Sequence, residues 1–285
     1  MNTLEEARLG IRAVDKDIAA LFEKRMRLVA QILEYKKERG LPILDAEQEA
    51  RVVAAGAENV SDPALREYYV LFLQEVLRIS RSYQARLTDG MKIACCGAPG
   101  SPAQVAASRA FPDATMLPYP DFAGAYRACE SGEAEISILP VENTFADDLG
   151  TVMDKCFGGS LYINLMLCPG SVPEGEAGKA MRFAVFSRAC NTTTQPETSG
   201  EHFILVFTVR DEAAALAKIL NIIGSHGFNM SSLRSCPARG RLWNSYFFAE
   251  LEGSVRTEEG SDLLRQLETV CDRLKLVGDY KSLKI

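Results

Sequence analysis

The stretch LEEARLGIRAVDKDIAALFEKRMRLVAQILEYKK, residues 4–37, decides the fold. Its apolar residues Leu4, Ala7, Ile11, Val14, Ile18, Leu21, Leu28, Ile32 and Tyr35 fall at heptad-type spacing, the seam of a helix that lies along partners. At 1.5 Å per residue such a helix is about 50 Å long, too long for one small domain to cover. A second chain or a long partner is expected along it. Arg25 stands where the seam wants an apolar residue, and Lys36 returns to within about 20° of it around the axis. Unpaired inward cations are costly, so the pair predicts a buried anion site.

Size and composition bound the rest. A chain of 285 residues, 47% apolar and 25% charged, predicts two or three soluble domains. A net charge of −6 argues against a nucleic-acid surface. No apolar run has the length of a membrane span and the N-terminus lacks signal-peptide form, so a cytoplasmic protein is expected. The eight cysteines make no CxxC, and only His202 and His226 could join them. Reduced, mostly buried thiols are expected, with no metal site and no Ser-His catalysis.

After the long helix, Gly40 and Pro42 signal a stop. Asp45 can cap a second helix to about Asn59, with Glu49 one turn on along the same face. Ser61-Asp62-Pro63 starts a third helix to about Leu87, with a seam at Leu65, Tyr69, Phe72, Val76, Ile79 and Tyr83. Short connections predict an antiparallel helical bundle. Beside its seams lie Arg8, Arg25, Lys36, Asp45, Gln48, Glu49, Ser80 and Gln84.

That pattern resembles the AroQ-class chorismate mutases, in particular the mutase domain at the front of the bifunctional chorismate mutase/prephenate dehydratases. The matching stretches are Arg8 to Asp15, Glu23-Lys24-Arg25, Lys36, Gly40 to Asp45, and Phe72 through Ser80 to Gln84. The resemblance implies an intertwined homodimer and the Claisen rearrangement of chorismate to prephenate, which needs no cofactor, nucleophile or metal. An enzyme helps by holding the compact conformer of a dicarboxylate and by placing donors at the breaking ether oxygen, where negative charge builds. By the same resemblance, Arg25 binds one carboxylate and Arg8 of the second subunit the other. Lys36 and Gln84 donate to the ether oxygen, Glu49 and Asp45 hold the ring-hydroxyl region, and Ser80 lies nearby. The chain departs at Gln48-Glu49, where the family usually has Arg-Glu. Weaker substrate binding is expected from the lost cation, with both ether-oxygen donors kept.

In the middle third, Lys92 to Gly97 reads as a buried strand, Ala103 to Phe111 and Phe122 to Ser131 as helices, and Ile136 to Pro140 as a strand, so a small α/β lobe with a parallel sheet is expected. Gly97 to Ser101, Phe122 to Gly132 and Pro140 to Thr144 together resemble the first lobe of prephenate dehydratases. Those enzymes close two lobes over prephenate. Here the chain runs from Ile163–Leu167 through Pro169–Pro173 almost directly to Arg182-Phe183-Ala184-Val185-Phe186, which looks like the return strand. A second lobe of about 80 residues, one small domain's worth, is absent. The family's Thr-Arg-Phe is Met181-Arg182-Phe183, and methionine can relay no proton. The bend after Asn143-Thr144 is changed to Phe145-Ala146-Asp147. Loss of dehydratase activity is expected.

Asn191 to Gly200 is a linker by composition. Strands over 203–209, 229–235, 242–251 and 276–280 and helices over 212–225 and 258–273 give βαββαβ, a ferredoxin-like order. Gly227-Phe228-Asn229-Met230, with Leu233, Ser235 and Pro237, resembles the phenylalanine-binding ACT domain of these bifunctional enzymes. Its ligand motifs are altered to Ala214-Ala215-Leu216 and Arg234-Ser235-Cys236-Pro237, the first placing a methyl where backbone approaches ligand. A dimerising, structural ACT domain is expected, with phenylalanine binding around Leu216, Asn229 and Ser235 as the alternative. The expected organisation is a helical mutase domain over 1–88, a truncated lobe over 91–190, a linker over 191–201 and an ACT domain over 202–285. The expected function is that of a chorismate mutase. Two alternatives stay open: a bifunctional enzyme making phenylpyruvate, and a non-catalytic regulatory or partner-binding protein of the same pathway.

Overall fold

A computed structural model describes residues 4–142, 149–168, 181–190, 201–210, 212–237 and 245–285. It forms two compact units, Met1–Gly90 and Met91–Ile285.

The first unit is helical: α1 (Leu4–Glu38), α2 (Ala46–Glu58), a 3-10 turn (Pro63–Leu65) and α3 (Arg66–Asp89). Helix α1 ends where Gly40 takes φ 61°, letting the Leu41 N–H reach back to the Lys36 carbonyl at 2.9 Å. Asp45 caps α2 by accepting from the Gln48 N–H at 3.0 Å. Asp62 caps the 3-10 turn from the Ala64 N–H at 2.9 Å, so α3 starts at Arg66 rather than directly at Pro63. Gly56 is buried against Leu73, whose methyl leaves no room for a Cβ, so α2 and α3 pack closely there.

The long helix buries a different face within the chain from the one its heptad pattern marks. Val29 and Leu33 are buried, with Arg25 and Lys36 half-buried on the same stripe. The seam itself, from Leu4 through Ile18 and Leu28 to Tyr35, is left exposed, with Leu4 at 66% and Ile32 at 52%. Phe72 on α3 and Leu65 in the turn before it are likewise about half exposed, whereas Val76 of that seam is buried. A contiguous apolar band of this kind marks a surface that associates.

The second unit is one mixed sheet of nine strands in the order β2-β1-β3-β5-β4-β9-β6-β8-β7, with β1 (Lys92–Cys96), β2 (Thr115–Tyr119), β3 (Ile136–Glu142), β4 (Tyr162–Cys168), β5 (Arg182–Ser187), β6 (His202–Thr208), β7 (Met230–Pro237), β8 (Ser245–Glu252) and β9 (Arg273–Lys284). Helices α4 (Pro102–Ala110), α5 (Phe122–Ser131), α6 (Leu149–Gly158), α7 (Ala215–Ser225) and α8 (Glu258–Val270) complete it. The lobe's sheet is not purely parallel, as expected from its order of elements. Only β1 runs parallel to β2 and β3, while β5 is antiparallel to both β3 and β4. Nor do the lobe and the βαββαβ segment have separate sheets: β4 pairs in parallel with β9. Gly278 permits that join, because a Cβ there would collide with the Ile163 carbonyl. The last strand is therefore much longer than 276–280, and residues 271–273, expected to be helical, cap α8 and begin β9.

Strands β9-β6-β8-β7 keep the ferredoxin-like arrangement, with α7 and α8 packed on one face through Ile219, Ile223, Leu263 and Leu267. The other face, with Ile204, Phe248 and Tyr280, joins α5 and α6 in one core through Tyr126, Val152 and Cys156. All eight cysteines are free, and only Cys95, Cys129 and Cys156 are fully buried, fewer than expected. The Asn143–Asp147 bend, the Pro169–Pro173 passage, most of the linker and the start of the 242–251 strand lie outside the described residues.

Ala214, ahead of α7, holds φ 63°, the one non-glycine residue with positive φ among the described residues. An L side chain there costs about 1–2 kcal/mol. Replacing it with glycine relieves that cost and gives back part of it as unfolded-chain entropy. Ala214→Gly is therefore expected to stabilise the second unit by about 0.5–1 kcal/mol, read as a higher urea midpoint at unchanged slope.

Candidate active site

Helix α1 carries Arg25, Val29, Leu33 and Lys36 on one stripe, as 3.6 residues per turn requires. Two polar residues of α3 are buried beside it, Ser80 at 5% and Gln84 at 6% exposure. Arg25 Nη1 donates to Ser80 Oγ, and Ser80 in turn donates to the Val76 carbonyl at 2.6 Å. Gln84 Nε2 donates to the Val29 carbonyl at 3.2 Å. Lys36 Nζ donates to the Ile43 carbonyl at 2.6 Å, so the chain after the helix stop folds back over the last turn and holds the ammonium.

Glu49 is half-buried on α2 and forms an ion pair with Arg81 Nη1 of α3. Burial pulls the Arg25 guanidinium below its ordinary value, and the Glu49 carboxylate offsets part of that. The two groups therefore share one electrostatic environment. Arg25, Glu49 and Ser80 of the predicted set are brought together, with Gln84 one turn of α3 beyond Ser80 and Lys36 at the end of the same α1 stripe.

Three predicted residues are not in this cluster. Arg8 lies exposed near the start of α1, nearly five turns before Arg25. Asp45 spends its side chain on the α2 cap, and Gln48 is exposed beside it. Arg81 is the residue that sequence reasoning passed over. It stands one position after Ser80, where a charged side chain reads as a solvated helix flank.

In the second unit the predicted ligand positions do not form a cluster. Leu216 packs on the α7/α8 core, while Asn229 and Ser235 are exposed, the latter on the edge strand β7. Arg182 of the return strand is committed elsewhere: its Nη1 and Nη2 donate to Glu250 of β8 at 2.9 and 2.6 Å. Tyr280 also donates to Glu250. No group of His, Cys, Asp and Glu among the described residues could hold a metal.

A helical unit with cations, a carboxylate, a hydroxyl and an amide fixed on its inner faces is built to hold a small polyanion. The comparisons with known proteins make that class specific. Residues 7–85 match the family model of chorismate mutase type II, and residues 93–164 that of prephenate dehydratase. The two matches stand in the order found in the bifunctional chorismate mutase/prephenate dehydratases, and the chain is similar to those enzymes along nearly its whole length.

The bifunctional chorismate mutase/prephenate dehydratase of Aquifex aeolicus is 22% identical over 359 positions, covering 98% of both chains. Since this chain has 285 residues, at least 74 of those positions (359 − 285) face gaps in it. Among solved structures, a chain described as GqqA, a novel type of quorum quenching acylase, matches at TM-score 0.57 and 26% identity, over 66% of this chain and 94% of its own. Prephenate dehydratase from Arthrobacter aurescens, solved with L-Phe, shares the fold at TM-score 0.59 and 17% identity, over 67% and 90%.

Proposed function

We propose that the helical unit rearranges chorismate to prephenate and that the chain has lost the dehydratase step. The observation that carries the first half is the joint placement of Arg25 on the Ser80 hydroxyl and within the field of Glu49, with Gln84 one turn of α3 beyond Ser80 and Lys36 held at the end of the Arg25 stripe. Arg25 holds a substrate carboxylate, and Lys36 and Gln84 stabilise the charge that builds on the ether oxygen. Glu49 receives the ring hydroxyl, together with the Asp45 carboxylate oxygen that the α2 cap leaves over. Arg8 is too far along α1 to serve its own chain's cluster, which supports its delivery from a second chain. The exposed apolar seam supports the same dimer, because a band of that length is not left in water.

The gap against the Aquifex relative supports the second half. Only 13 residues separate Cys168 from Arg182, too few for a lobe, and β4 and β5 pair directly as neighbours. Met181 and the commitment of Arg182 to Glu250 leave the return strand without a proton relay or a free fork. Among the described residues neither histidine pairs with a serine or cysteine, which gives an acylase reading no support: His226 bonds the Ile222 carbonyl at 2.9 Å and His202 stacks on Tyr280. The βαββαβ segment reads as an ACT domain that dimerises. Phenylalanine binding has less support, because Ala214 brings a methyl to the turn before α7. No described helix is long and apolar enough to cross a membrane, in keeping with a cytoplasmic biosynthetic enzyme.

Chorismate incubated with the protein at neutral pH is expected to give prephenate that accumulates, identified by chromatography. Phenylpyruvate above the spontaneous rate would overturn the dehydratase loss. Persisting chorismate would leave the regulatory reading.

A further inference from the structure

Arg81 has no role in the reading above, yet it meets the site's own carboxylate. Its guanidinium pairs with Glu49 across α2 and α3, one residue after the Ser80 hydroxyl that accepts from Arg25. Both partners are more than half shielded, with side chains 34% and 25% exposed, so the pair is worth more than a freely solvated one.

The charge count shows why such a pair matters. Within one chain the proposed site sets Arg25 and Lys36 against Glu49 and, outside the cluster at the nearby α2 cap, Asp45, two cations against two carboxylates. Gln48, beside Glu49, brings no charge. That arrangement alone has no net attraction for a dicarboxylate, and an unpaired Glu49 would repel it. Arg81 shifts the balance to +1, and Arg8 of a second chain would bring it to +2, the complement of a dianion.

We propose that Arg81 is a positioning residue of the mutase site. By pairing with Glu49 it fixes that carboxylate and cancels its repulsion, and so makes good the cation that Gln48 does not supply. The proposal rests on the mutase reading and deepens it. It places Arg81 in ground-state binding of the dianion rather than at the ether oxygen, so its loss should fall on KM and not on kcat.

The test is Arg81→Gln, with Arg81→Lys and the double variant Arg81→Gln/Gln48→Arg, measured for chorismate kinetics and for calorimetric binding of a bicyclic dicarboxylate transition-state analogue. Far-ultraviolet circular dichroism and melting serve as fold controls. Arg81→Gln should raise KM and weaken analogue binding about tenfold, with kcat within about threefold. Arg81→Lys should keep most of the affinity, and Gln48→Arg should recover it in the Arg81→Gln background, since each returns a cation to Glu49. Unchanged KM and analogue affinity with a lowered melting temperature would overturn the proposal and leave Arg81 a strap between helices. Failure of both cation-restoring variants in folded protein would overturn it equally. A wild type that neither converts chorismate nor binds the analogue would remove the mutase reading itself, and the proposal with it.

Discussion

Lys36→Ala should lower kcat for chorismate rearrangement by about 10²–10³-fold, the usual loss when one fixed donor to a developing oxyanion is removed. The ammonium is held in place before substrate arrives. It lies in the last turn of α1, half-buried, and the Ile43 carbonyl fixes it at 2.6 Å. The fold gives up little in the variant. One side-chain hydrogen bond is worth about 1 kcal/mol, and a cation at a helix C-terminus a few tenths more. A donor that works only at the transition state lowers kcat and kcat/KM together and leaves KM nearly still. Steady-state kinetics on a variant with a normal circular dichroism spectrum reads both. An unchanged rate would take Lys36 out of the site. A rise in KM alone would make it a binding group, like the role proposed for Arg81.

The contrast between these two cations shows what was legible in the sequence. Arg25 and Lys36 interrupt an apolar pattern, and an inward charge on a periodic helix needs a partner, so they stand out. Arg81 interrupts nothing. Its importance depends on which helix lies opposite, and that pairing is set by α2 meeting α3 at Gly56, a contact between residues far apart in sequence. The exposed seam of α1 was legible as apolar, but the face that packs within the chain, Val29 and Leu33, was hidden among alternatives of equal hydrophobicity. In the second unit β2 carries Pro118, a strand breaker except at a sheet edge, and among the described residues β2 is the edge strand, paired with β1. Helix α6 does carry an apolar stripe, Val152, Met153, Cys156 and Phe157, but it is only ten residues long and interrupted by Gly150 and Gly158, too short a pattern to stand out. The joining of β4 to β9 was illegible for a different reason. Local pattern assigns a strand, and never its neighbour across more than 100 residues.

Glu250→Ala should destabilise the second unit by about 3–5 kcal/mol, because it removes the buried carboxylate that Arg182 and Tyr280 both bond inside the sheet. Glu250 is 3% exposed and takes two bonds from Arg182 and one from the Tyr280 hydroxyl, so a single truncation removes the acceptor of three bonds. For a unit of this size the loss corresponds to a melting temperature lower by about 6–20 °C. Replacing both partners by apolar residues of similar volume, as in Arg182→Met/Glu250→Leu, should recover much of it, since no uncompensated charge remains. The pair also predicts an acid limb. Burial pushes the Glu250 carboxyl up, but the Arg182 and Tyr280 hydrogen bonds and the Arg182 charge outweigh it and hold the value below the ordinary 4.5. A carboxyl lowered in the folded state contributes its full stability above the unfolded value and loses it as pH falls through the folded one. Urea unfolding should therefore be nearly flat in pH above about 5 and weaken below 4.5 in the wild type, with a shallower acid limb in the double variant. A single variant as stable as the wild type would mean that water reaches Arg182 and that its fork is not committed. The return strand would then not hold the sheet together through Glu250, and its turn from chemistry to structure would be disproved.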